Sequence, residues 1–258
     1  MNSLLLKVIV TPALIGTASL VGRRWGHSIS GWIIALPLTT GPITFFLALT
    51  HGASFAAATA VGTVAGGLSQ AAFALTYARL STRWKWPLTL AAACLSFVIS
   101  TAILNQFTFT ILPIYAAVLL SFLAALQLLP KDSKAEPVVE ESLPSRWDIP
   151  MRMIIATIFV VLLTGIASNL GAHLTGLIAP FPIFTATMAA FAHHQHGSTA
   201  AVNVLRGLLM GLFSFASFFF TLAVLIESAG ITVAFTAAIL VALSLQGVSL
   251  WLLQRSAN

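Results

Sequence analysis

Charge is what this sequence has least of. Of its 258 residues only 7% are Asp, Glu, Lys or Arg, against a hydrophobic share of 59% and a mean hydropathy of +1.00. A water-soluble domain carries about a quarter charged residues, so most of this surface must face hydrocarbon. Acid is scarcer than base, six residues against twelve, and five of the six (Asp132, Glu136, Glu140, Glu141, Asp148) sit in one stretch. A single cysteine, Cys94, excludes an internal disulfide and a thiolate metal site. There is no G-x-S-x-G, P-loop, H-E-x-x-H or dinucleotide fingerprint, so no enzyme and no cofactor is read from the chain. His193, His194 and His196 cluster without carboxylate or thiol neighbours, and no metal site is expected of them. The net charge of +6 is no sign of nucleic acid, because the basic residues lie in short loops between apolar runs.

What the chain does have is long apolar runs. Spans of about 20 largely apolar residues fall at 3–22, 29–50, 53–79, 87–104, 107–129, 150–168, 172–192, 198–226 and 230–253, nine in all. The expected fold is an all-α polytopic transmembrane bundle. With the N-terminus outside, the loops on the cytoplasmic side hold Arg23, Arg24, Arg79, Arg83, Lys85, Lys131, Lys134, Arg146, Arg152 and Arg255, while the other side holds only Lys7. That asymmetry is the positive-inside pattern and places the C-terminus in the cytoplasm. The first run could pass for a signal peptide, but it has a counterpart in mid-chain and is read as a retained helix.

The counterpart comes from an internal repeat. A shift of 145 residues lays 26–80 on 171–225 without gaps and gives 17 identities over 55 positions. Gly26, Gly31, Ile33, Pro37, Thr40, Phe46, His51, Gly52, Ala56, Gly62 and Gly66 meet their own kinds at 171, 176, 178, 182, 185, 191, 196, 197, 201, 207 and 211. Matches at Gly, Pro and His are the harder ones to obtain by chance in an apolar background. The shift carries the first span onto the sixth. Five is odd, so the second copy inserts upside down. The expected arrangement is 4 + 1 + 4: a first repeat over 1–104, a connector helix over 105–130, a cytoplasmic linker over 131–149 and a second repeat over 150–258. Inverted repeats recur in secondary transporters.

The second and seventh spans are the unusual ones. Each carries two prolines, Pro37 and Pro42 in one, Pro180 and Pro182 in the other. A proline inside a span removes a backbone donor and frees the carbonyl four residues back, which in hydrocarbon needs a partner or a wet cavity. Thr39, Thr40, Thr44, Thr185 and Thr187 stand beside Pro37 and Pro182, and the expected substrate site lies among them between two broken helices. The alternative is a pair of packed kinks satisfied by those threonines. Arg206 is the one fixed charge well inside a run, about 12 Å along its helix, and suits an anionic group. Snorkelling to the interface is its other reading. Gly62-x-x-x-Gly66 and Gly207-x-x-x-Gly211 are helix-packing faces. His51 and His196 are candidate proton relays, although a His-Gly pair at these places more simply ends one helix and starts the next.

The run Gly176-Leu-Ile-Ala-Pro-Phe-Pro-Ile-Phe184, the following His196-Gly197, the glycine–serine helix after it and the Trp251-Leu-Leu ending resemble the GlpM family of small bacterial inner-membrane proteins. The resemblance covers about 171–253, and the first half only through Gly31, Pro37 and His51-Gly52. It implies the inner membrane; the chain departs from the family, whose members are about one repeat long, by being two such units joined through an extra helix, which suggests a fused pair similar in logic to the drug/metabolite transporter superfamily. The function expected is a transporter or permease for a small, anionic solute, the alternative a non-transporting accessory or assembly protein. Its partners on this reading are the lipid bilayer, a small-molecule substrate and, as a further candidate, a second copy in a homodimer.

Overall fold

The computed structural model describes residues 3–25, 37–130 and 148–256, and every element among them is helical. In chain order these are α1 (Ser3–Trp25), α2 (Thr40–His51), α3 (Ala53–Leu80), α4 (Trp86–Leu104), α5 (Ile111–Leu128), α6 (Asp148–Ile178) and α7 (Ile183–Ser256). Five are long and apolar enough to cross a bilayer, and α1 adds a shorter apolar stretch, Leu5–Thr17. Gly26, Gly31 and Ile33 of the repeat, residues 29–36 of the second expected span and most of the linker (131–147) lie outside the described residues.

Two of the helices are interrupted. α6 breaks at Gly171 (φ 76°, ψ 163°) and α7 at Gly197 (φ 83°, ψ −174°) and Gly230 (φ 80°, ψ 169°). A positive φ with extended ψ is open only to a residue without a Cβ. α7, with 74 residues, is therefore not a single rod. It is three, 183–196, 198–229 and 231–256, and α6 is two, 148–170 and 172–178. The same backbone geometry (φ 90°, ψ 171°) occurs at Gly52 between α2 and α3. Gly52 serves both neighbours, its N–H donating to the Ala48 carbonyl at 3.1 Å and its carbonyl accepting from Ala56 at 3.2 Å. Gly52 and Gly197, matched by the 145-residue shift, are thus matched elbows.

Side-chain pairs fix how the rods run. Ser214 donates to the Ala242 carbonyl at 2.9 Å and Phe218 meets Phe235 at 6.2 Å, so 198–229 and 231–256 are antiparallel. Ser54, at the start of α3, bonds Glu227 at 2.7 Å, while Tyr77, at its end, meets His193. Tyr115 bonds Ser217 and Phe122 packs on Phe213, so α5 is also antiparallel to the 198–229 rod. One end of the bundle accordingly gathers Tyr77, the α3–α4 turn, Pro130, His193 and Arg206; the other gathers Ser54, Phe109, His173 and Glu227.

α3 is the enclosed element. Its most apolar window is 72% buried, against 22% for α4 and α5. Small residues make this possible, since a glycine or alanine lets a neighbouring backbone come close where a larger side chain holds it off. Val118 and Phe122 of α5 close over Gly67. Phe73, Tyr77, Phe122, Phe219, Leu205 and Leu209 fill the main core around it. A smaller cluster joins Ile43, Phe46 and Leu47 of α2 to Val160 and Leu163 of α6. α4 and α5 instead expose Leu88, Leu95, Val98, Leu112 and Leu120, the side chains that hydrocarbon must cover.

Candidate functional site

The site is built on the interruption between 178 and 183. Residues 172–178 run beside α3 and stop where Pro180 and Pro182 withhold two backbone donors. The approach is close because both partners lack a side chain. A Cβ at Gly62 would come within 2.6 Å of the His173 carbonyl oxygen, and one at Gly66 within 2.5 Å of the Pro180 ring. A Cβ at Gly176 would collide with the Thr59 carbonyl oxygen. Gly62 and Gly66 are therefore a helix-packing face, and what they receive is the broken segment itself.

Prolines precede α2 and the 183–196 rod in the same way. The Gly41 N–H donates to the Pro37 carbonyl at 2.7 Å, and the Ala186 N–H donates to the Pro182 carbonyl at 2.7 Å. These two bonds are related by the 145-residue shift. The start of α2 touches this break, because Thr40 Oγ1 donates to the Ala179 carbonyl at 3.2 Å, across 139 residues of chain. Thr44 lies one turn on, its hydroxyl bonded back to Thr40. Thr40, Thr44 and Pro182 are buried, while Pro37, Thr39 and Thr185 are half-buried. Thr187 is exposed and bonds back to Ile183, so of the five threonines it is the one turned away from the crossing.

Gln70 of α3 completes the arrangement. Its Nε2 donates to the Pro180 carbonyl at 2.7 Å, and its buried Oε1 has no partner among the described residues. The carbonyls at the break are thus taken by Thr40, by Gln70 and, at Ile178, by the Phe181 N–H. Phe97 of α4 covers the break from outside, its ring 5.1 Å from that of Phe181. His173, half-buried beside Phe109, likewise leaves a buried Nε2 unpartnered among the described residues. The sequence reading passed over both. An amide in the middle of an apolar run, facing phenylalanine (Phe215) in the other repeat, was the available signal for Gln70.

Other expected residues lie away from the crossing. Arg206 is half-buried and donates to the Pro130 carbonyl, just beyond the last turn of α5, at 3.4 Å. A cation there complements the negative end of that helix. His51 is exposed, bonded to Thr50 and stacked on Phe55, and His196 is exposed at the matching elbow. The exposed Gly207 has no described atom within 4 Å of where its Cβ would stand. Gly211 is half-buried on the same rod. Lys7 of α1 is buried at 7% exposure, and Thr11, one turn on, has an unpartnered hydroxyl among the described residues. A cleft of about 500 Å³ lies elsewhere, between α5 and the last two rods, lined by Tyr115, Ser217, Thr221 and Ser244 among others. Comparison of the chain with protein-family models, curated proteins and solved structures finds no match.

Proposed function

We propose that this chain is a permease of the inner membrane, with nine spans arranged 4 + 1 + 4, that carries a small anionic solute past a site between its two interrupted helices. The observation that carries this reading is the Thr40–Ala179 hydrogen bond, which joins the start of α2 to the break before the 183–196 rod. In inverted-repeat transporters the binding site lies where discontinuous helices from the two halves meet near mid-membrane. The polarity of the halves supports an anion. α2 starts at Thr40 and the 183–196 rod at Ile183, so both helix N-termini open at the break with their positive dipole ends toward it. Gln70 supplies an adjustable amide there, able to turn from the Pro180 carbonyl toward a solute.

The second reading is a non-transporting accessory protein of the membrane. It is favoured by the satisfied carbonyls at Ile178, Ala179 and Pro180, which describe a packed kink.

Flux measurements separate the two. Uptake and efflux of a broad metabolite panel are compared in cells with and without the protein, and in cells carrying Gln70→Ala or Arg206→Ala at equal membrane levels. Transport through the break predicts a solute whose flux needs the protein and falls at least about tenfold with Gln70→Ala. Arg206→Ala, remote from the crossing, changes it less. A panel in which no solute responds to the protein rejects transport. Reporter fusions after Asn105 and after Lys134 test the span count separately and are expected on opposite sides.

A further inference from the structure

We infer that the corner formed by the α3–α4 turn and the 193–196 elbow binds the phosphate of an anionic phospholipid. This goes beyond the transport reading and does not depend on it. The turn carries Arg79, Arg83 and Lys85, all exposed, with Trp84 at 47% and Trp86 at 37% exposure alternating with the last two cations. It is held in one shape. The Arg83 and Trp84 N–H groups both donate to the Leu80 carbonyl at 2.9 Å, and the Ser81, Thr82 and Thr89 hydroxyls each bond a backbone carbonyl of the turn or its flanks. The elbow joins it through two ring contacts, Trp86 with His194 at 5.9 Å and Tyr77 with His193 at 6.0 Å. Exposed guanidinium, ammonium and imidazole nitrogens from two separate elements therefore share one corner.

Glu227, the one carboxylate whose side chain is described, is bonded to Ser54 at the opposite end of α3 and does not reach the corner. What selects a lipid over a dissolved phosphate is the adjoining surface. α4 leaves the turn at Trp86 and exposes Leu88 (63%), Leu95 (58%) and Val98 (57%), a stripe that hydrocarbon must cover. Tryptophan beside such a stripe sits at headgroup depth, which brings the three cations level with the phosphates. Each Lys or Arg beside an anionic surface strengthens binding roughly fivefold.

Native mass spectrometry of the full-length protein in detergent, titrated with phosphatidylglycerol or with phosphatidylcholine of the same chains, tests the assignment. The wild type is expected to retain phosphatidylglycerol in preference, and the triple variant R79Q/R83Q/K85Q to lose that preference by at least about tenfold. Arg206→Gln, at the same end but outside the corner, keeps it, and so does the charge-retaining pair R79K/R83K. Equal retention of the two lipids by the wild type overturns the proposal. So does a preference unchanged in a triple variant whose melting temperature matches wild type. If inorganic phosphate at the same concentration displaces the lipid completely, the corner takes free anions and the assignment to lipid fails. If phosphatidylglycerol binds only after Glu136, Glu140 and Glu141 are changed to Gln, the acidic linker is the occupant and the proposal fails likewise.

Discussion

α3 and the 198–229 rod match under the 145-residue shift and yet are different objects. They share the Gly-x-x-x-Gly spacing, Ser69 with Ser214, Phe73 with Phe218 and Thr76 with Thr221. In α3 the glycines lie against the backbone of 172–180 and the next turn carries Gln70, bonded to the break. In the later rod Phe215 stands where Gln70 does, and Val61 has become Arg206, which reaches out to the end of α5. Ser69 accepts a bond from Thr101 of α4, while Ser214 reaches the backbone of the last rod. What the two stretches keep in common is the elbow geometry at Gly52 and Gly197, whereas Gly62 packs closely and its match Gly207 does not. The shared serines have taken different partners, because a hydrogen bond in the bilayer needs only a local partner and the two rods meet different neighbours.

The contrast can be broken most severely at the glycines. Gly176→Leu or Gly62→Leu puts a side chain into backbone atoms that cannot retreat, and the expected loss lies at or above the top of the ~1–3 kcal/mol range for overpacking. The matched Gly207→Leu should stay within about 0.5 kcal/mol of wild type, as surface changes do. Melting temperatures in detergent compare them, and equal losses at Gly62 and Gly207 would show that the two faces are packed alike. Gln70→Leu comes next. It leaves the Pro180 carbonyl buried without a donor, for an expected loss of about 1–2 kcal/mol. A change within measurement error would mean that the amide bond to the break is not needed. The smallest effect belongs to the threonine pair. Thr40→Val removes the bond from the start of α2 to the break at about 0.6 kcal/mol, the typical value for a side-chain bond in a membrane protein. Thr185→Val serves as its comparison, and a larger loss there would invert the assignment of which threonine ties the halves.

Much of this was legible in the residues. The spans read at 53–79 and 87–104 became Ala53–Leu80 and Trp86–Leu104, because apolar length and the flanking Arg, Lys and Trp fix where a helix can leave hydrocarbon. The matched His-Gly pairs predicted elbows, since a backbone that must turn through positive φ selects glycine. The threonines were placed as a group, yet only the fold shows that Thr187 points outward and Thr40 inward, as their rotation about the helix depends on where the break falls. Arg206 could not be resolved from sequence. Its partner is a carbonyl at the end of another helix, and nothing local announces a carbonyl. Gln70 was missed for the same reason, being meaningful only once residues 172–180 are laid beside α3.

The elbows carry one more consequence. At Gly52, Gly197 and Gly230 one helix hands over to the next through a single residue, with no intervening loop. An extra residue at such a joint would turn the outgoing helix by about 100°, sending its buried stripe out to lipid along its whole length. These junctions can change by substitution but not by insertion or deletion. The register of each rod is therefore locked to that of the rod before it, and the chain length between Thr40 and Leu80, and again between Ile183 and Ser256, is itself under structural constraint.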